Sequence, residues 1–163
     1  MSKIPVIISQ TTGRLMNEAH LHLLLNHFPI IGTLFGVVFL AYGFFMKNKS
    51  LLHAGLLTLF LMALLAIPTQ LTGEGAEEAV EELGVDHDVI HEHEEAAELA
   101  IWFMSGLGLL ALATLLISRR TSGRDTVLQG LYVATLILSV VVFVMMARVG
   151  NLGGEIRHTE VRE

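Results

Sequence analysis

Four long apolar stretches follow one another along the chain, and none has a lysine or arginine in its core. They cover residues 21–46, 51–71, 96–118 and 126–147. A helix needs roughly 20 residues to cross the hydrocarbon layer of a bilayer, and each stretch is of that order. A helix of a soluble bundle would carry a charged face opposite its apolar one, and these stretches have none. The expectation is an all-α fold, an integral membrane four-helix bundle with short amphipathic helices on its outer side. All 163 residues are read as a single membrane domain, with an acidic connection at 72–95. Met1–Gly13 lacks the ordered charged, apolar and small-residue sections of a cleavable signal, so the first span is expected to act as its own insertion signal.

Composition removes much chemistry. The chain has no cysteine, which excludes disulfides, thiolate metal sites, thiol nucleophiles and iron–sulfur clusters. A net charge of −6 lacks the basic footprint that nucleic acid requires. Lys47 and Lys49 fall between the first two spans, and Arg119, Arg120 and Arg124 between the last two. Short basic loops remain in the cytoplasm, so both termini and the connection 72–95 are expected outside. The location that follows is a bacterial inner membrane, with the lipid bilayer as the first partner.

The ionisable residues are strongly partitioned. His20, His22, His27, His87, His91, His93 and His158 are all assigned to the outer side, and His53 alone to the cytoplasmic end. Of the sixteen acidic residues, Asp125 alone lies elsewhere than outside. Helical spacing sorts them further. At about 100° per residue, His22, Asn26, Pro29, Thr33 and Gly36 share one stripe of a continuous first helix, a stripe expected to face the bundle interior. His27 points elsewhere. Pro29 is expected either to start the span or to kink a longer helix. His93 aligns with Ala97, Ala100, Met104 and Ala111 on an inner face, while His87, His91, Glu95, Glu98 and Trp102 share a wetter stripe. Thr72 is expected to cap a separate short helix from Glu74 to Leu83, with Glu74, Glu78 and Glu81 on its polar side. Gly32 and Gly36 form a GxxxG pair for close helix packing, or leave room for a flat cofactor. Ser105, Gly106 and Gly108 give the third span a small face. Ionisable groups at the mouth of a membrane bundle mark function, which singles out His22, His27 and His93.

The run His22-Leu-Leu-Leu-Asn-His27-Phe28-Pro29 resembles the opening of a family of small bacterial four-span membrane proteins known as a domain of unknown function. Thr72-Gly73, the histidine opening the third span (His93) and the tail Gly153-Gly154-Glu155-Ile156-Arg157-His158 are similar to it as well. The resemblance covers most of Leu21–His158. It implies that His22, His27, His93 and His158 match the family's histidines, and it implies a redox setting, since some members are fused to cytochrome or Rieske-like domains.

Three functions fit these residues. The first is a divalent metal site at the outer mouth, with zinc, iron or manganese held by His22, His27, His93 and His158 and by the carboxylates Glu74 and Glu78. Glu155-x-x-His158 and Asp88-x-x-His91 have the spacing used in bundle carboxylate sites. The second is a b-type cytochrome with haem b held axially by His27 and His93. Gly32, Gly36 or Gly106 would give the ring space, and Arg148 or Arg157 would meet its propionates. The third is a cofactor-free accessory subunit, in a homo-oligomer or beside a respiratory partner. No nucleophile–base pair, phosphate loop or zincin motif points to a catalytic residue, and His91-Glu92-His93 is not part of a His-Glu-x-x-His motif.

Overall fold

The computed structural model describes residues 18–82, 84–121 and 125–157. Their helices are α1 (18–25), α2 (His27–Phe45), α3 (Lys49–Glu82), α4 (His87–Arg120) and α5 (Thr126–Arg157). No strand occurs among the described residues. Four stretches are long and apolar enough to cross a membrane: Glu18–Phe45, Lys49–Gly73, His87–Arg120 and Thr126–Ile156. The chain is therefore an all-α membrane bundle. Large apolar side chains such as Phe35, Leu61, Leu109 and Ile137 point outward, as lipid contact requires.

Short polar residues start the helices. Asn48 Oδ1 accepts from Leu51 N–H at 3.2 Å as α3 begins. Asp86 caps α4 by accepting from Asp88 N–H at 3.0 Å. Asp125 Oδ1 takes Val127 N–H at 2.8 Å and Leu128 N–H at 3.1 Å, satisfying donors in the first turn of α5 that have no intrahelical partner. Between α1 and α2 the helical path is interrupted at Asn26 alone, whose N–H still reaches His22 O at 2.9 Å. Pro29 is the third residue of α2, inside the first turn, where a missing N–H is tolerated.

The connection between the second and third spans departs from expectation. In place of a separate helix capped by Thr72, α3 runs unbroken from the second span to Glu82, and α4 starts at His87, well before the expected span. The physical reason lies in Thr72 itself. Its hydroxyl turns back to Pro68 O at 3.0 Å and Thr69 O at 2.9 Å, and Thr69 Oγ1 does the same to Leu65 O at 2.9 Å. These bonds tie the turns around Pro68 into one helix and leave no hydroxyl to cap another.

Each spanning helix packs on two neighbours, α2 on α3, α3 on α4, α4 on α5, and α5 back on α2. Thus α2 lies diagonally across the bundle from α4, and α3 from α5. Leu40, Leu56, Leu59, Met104, Leu107 and Val142 fill the centre, fully buried. Without a hydrophobic effect in lipid, close backbone approach supplies the contact. A Cβ on Gly55 would sit 2.6 Å from Leu40 N, and one on Gly43 would sit 2.6 Å from Leu52 N. Gly32 and Gly36 belong to the same seam, facing Met62 and Leu59 of α3, so these glycines serve helix packing. Buried hydroxyls are paired across helices as well: Thr114 and Thr135 are 3.3 Å apart.

Candidate functional site

The end of the bundle that carries α1 opens into two adjoining cavities of about 400 and 390 Å³. His22, Leu23, Asn26, Gln70, His93, Ala97 and Gly153 line both. The inner one continues past Ala66, Ala100, Ile101 and Met146, the outer one past Val80, Val85, Glu77 and Glu94. Both volumes fall within the range of small-molecule sites, roughly 300–1,000 Å³, and a mostly apolar wall with few polar groups is typical of them.

The two histidines reach this space from opposite corners. His22 stands on α1, stacked above α2, and His93 stands on α4. Each is half-buried. His22 Nδ1 is 2.9 Å from Thr69 O on α3, and His93 Nδ1 is 3.1 Å from Val149 O on α5. A carbonyl only accepts, so both Nδ1 atoms carry the proton. In each neutral ring Nε2 then holds the lone pair. A backbone carbonyl behind Nδ1 is the arrangement that orients a histidine for ligation through Nε2. Asn26 Oδ1, on the same wall, is buried and has no hydrogen-bond partner among the described residues. Small residues flank the histidines. Gly150 and Gly153 line the α5 side, Ala66 the α3 side, and Ala97 and Ala100 the α4 side. A Cβ on Gly153 would come within 3.2 Å of His93 Cε1, so the glycine makes room for that ring.

The other expected site residues are placed differently. His27 opens α2, exposed, and touches only the inner cavity. It is five residues from His22, a rotation of about 140° around the helix. Glu74 and Glu78 belong to α3, but their side chains lie outside the described residues, as does His158. Among the described residues, no three His, Asp or Glu side chains gather as a metal site. Of the expected ligands within the described residues, His22 and His93 line both cavities and His27 the inner one. Of the glycines expected to make room for a ring, Gly32 and Gly36 face α3, and Gly106 has open space around it away from the cavities. Beside the cavities, a Cβ on Gly150 would meet Ile30 Cδ1 at 2.7 Å.

The rim is acidic. His87 and His91 stack one turn apart with ring centroids 6.4 Å apart. Glu81 meets His87 at 3.0 Å, and His91 lies 3.8 Å from Glu94 and 3.4 Å from Glu95. Arg148 pairs with Glu92 at 3.5 Å. Glu77, on the outer cavity wall, has its carboxyl pushed up to about 7, first by a hydrogen bond to Glu94, then by desolvation and the negative charge of Glu94 and Glu81. No sequence spacing reveals the Glu77–Glu94 contact, or Thr69 and Val149 as the orienting carbonyls, because each joins two different helices.

No curated protein and no solved structure matches the chain significantly. A family model described as "Predicted membrane protein (DUF2231)" matches residues 18–160, which span every helix and both histidines of the cavity. The chain belongs to this DUF2231 family of membrane proteins of unknown function.

Proposed function

We propose that this protein is a small membrane redox protein that holds one haem b between His22 and His93. The carrying observation is the pair of imidazoles on diagonal helices, each fixed through Nδ1 to a carbonyl and each lining the same cavity with Nε2 free to ligate. Among the described residues, donor number favours haem over a bare divalent ion. Structural zinc takes four ligands and catalytic zinc three from protein, whereas the porphyrin brings four nitrogens of its own and asks the protein for two. Bundle cores commonly build cofactor sites from facing helices. The group would supply one-electron chemistry, and the chain's part is to bind, orient and partly shield it. His22 replaces His27 as the partner of His93 in this reading, and Gly153 gives the His93 ring its place.

The short basic loops at the other end of the spans support an outer-face position for this mouth in a bacterial inner membrane, where an electron partner would meet the acidic rim. The test is optical. Purified protein supplied with haem is expected to show a Soret band and the sharp reduced α-band of six-coordinate low-spin iron, with one haem per chain. His22→Ala and His93→Ala should each abolish the six-coordinate spectrum, while His27→Ala should retain it. Absence of specific haem binding by folded protein, or an unchanged spectrum in both single variants, would reject the assignment.

A further inference from the structure

The end of the bundle away from the cavities is basic. Lys47 lies in the α2–α3 turn, Lys49 opens α3, and Arg119 and Arg120 close α4. No acidic residue lies between Glu18 and Glu74 or between Glu98 and Asp125. Asp125 itself caps α5 through Oδ1. Lys49 and Arg119 are exposed, and neither has an ion pair among the described residues.

These two cations stand over one lipid-facing groove between α3 and α4. On α3, Gly55 faces α2, and Ala63, about 80° round, faces Gly108 of α4. His53 lies about a further 80° round, away from α2, with Lys49 one turn above it and exposed Leu57 and Leu64 below. On α4, Thr114 meets Thr135 of α5, and Arg119 emerges about 140° round from it, past Ser118. Exposed Leu116 and Leu109 continue the Arg119 stripe along the helix. Arg120 is turned about 100° further away. His53 Nε2 and Ser118 Oγ, 2.9 Å apart, fix the head of the groove. Ser118 Oγ gives its one proton to Leu115 O at 2.8 Å, so it accepts from His53 Nε2–H. In the neutral ring Nδ1 then carries the lone pair, and it has no partner among the described residues.

We propose that this groove binds one anionic phospholipid of the phosphatidylglycerol type. Its phosphate sits between Lys49 and Arg119, its headgroup hydroxyl donates to His53 Nδ1, and an acyl chain follows the leucines. Charge and hydrogen bonding select this occupant. Two cations without a carboxylate attract a net negative headgroup over a zwitterionic one, as in other basic pockets between spans. A bare ring nitrogen needs a donor, which the headgroup hydroxyl supplies and an ionised phosphate does not. The leucines need an apolar chain, which free glycerol phosphate lacks.

This site requires no cofactor and lies at the opposite end of the spans from His22 and His93, so its test is separate from the haem assignment. Native mass spectrometry of the full chain reads the lipid retained from detergent micelles. The micelles carry equal amounts of phosphatidylglycerol, phosphatidylcholine and phosphatidylmethanol with identical chains. Phosphatidylmethanol has the same charge as phosphatidylglycerol and no hydroxyl. Phosphatidylglycerol should be retained over phosphatidylcholine by about 10-fold or more, with roughly five-fold from each cation. It should be retained over phosphatidylmethanol by about two- to ten-fold, the worth of one hydrogen bond. Lys49→Ala and Arg119→Ala should each lower the first ratio about five-fold, and Lys47→Ala and Arg120→Ala by less than about two-fold. His53→Leu should abolish the second ratio and keep the first. Equal retention of phosphatidylglycerol and phosphatidylcholine, or an Arg120→Ala loss as large as that of Arg119→Ala, overturns the site. Displacement by excess glycerol phosphate overturns the lipid as its occupant. Wild-type protein that retains phosphatidylmethanol equally overturns the choice of headgroup.

Discussion

His22 and His93 line one cavity from diagonal corners of the bundle, and each is anchored by the helix beside it, His22 by Thr69 O and His93 by Val149 O. All four corners therefore contribute, two with imidazoles and two with the carbonyls that orient them. The cost of ordering two rings is met within the apoprotein, so a ligand would find both Nε2 atoms already fixed in tautomer and direction.

Gly153→Ala separates site geometry from stability. Alanine in a helix is favoured over glycine by about 0.8–1.0 kcal/mol, so the bundle should be as stable or more so. The new methyl would meet His93 Cε1 at 3.2 Å, a tight approach that shifts the ring by a few tenths of an ångström from its present position. Haem affinity is expected to fall about 10-fold or more, as for loss of other ligand-orienting groups. Gly154→Ala, whose Cβ has nothing within 4 Å, should gain the same stability and keep the affinity. Haem titration beside thermal unfolding reads both; equal affinities in the two variants would count against a role for Gly153.

The α2–α3 seam makes a prediction about the scaffold alone. Gly55→Val would drive a side chain into the Leu40 backbone, where a Cβ already has only 2.6 Å. Backbone cannot rotate away as a side chain can, so a loss of about 1–3 kcal/mol is expected. Unfolding in mixed detergent micelles would show it, and a midpoint equal to wild type would mean that α2 and α3 do not pack this closely.

Much of this was legible in the sequence, for reasons particular residues make clear. Helical rotation placed Pro29, Thr33 and Gly36 on one buried stripe, and His93 in line with buried Ala100, Met104 and Ala111. It also left His87, His91 and Trp102 on a face that the structure exposes. Periodicity works there because it is a property of one helix. It fails where two helices meet. Nothing in the run from Thr72 to Glu95 says that Glu77 will hydrogen-bond Glu94, since that depends on how far α3 continues. The extent of α3 turned on the Thr72 hydroxyl, which had two uses, capping forward or bonding back, and spacing does not choose between them.

The opposite end of the bundle supplies a control. Ser118 Oγ donates to Leu115 O at 2.8 Å and meets His53 Nε2 at 2.9 Å, tying α4 to α3. Ser118→Ala should cost about 1 kcal/mol, the net value of one such hydrogen bond. Haem binding should be unaffected, because the site lies at the other end of the spans. A change in it would reveal coupling along α4 that the packing does not require.

The pH dependence of overall stability has a definite sign at Glu77. Its carboxyl is raised in the folded protein from 4.5 to about 7, so between these values the folded state holds more protons than the unfolded one. Stability must then fall as pH rises through this window, and the contribution is constant above it. The contribution is largest at and below pH 4.5, where both states are protonated and the shared bond is intact. Glu77→Gln removes the titration, so the difference in thermal midpoint between wild type and variant should shift against wild type from pH 5 to 7 and then stay level. Solvent reaches this carboxyl, which keeps the shift smaller than a fully buried group would give. A difference that is flat from pH 5 to 7, or that moves in favour of wild type, would mean that Glu77 and Glu94 share no proton in the folded state.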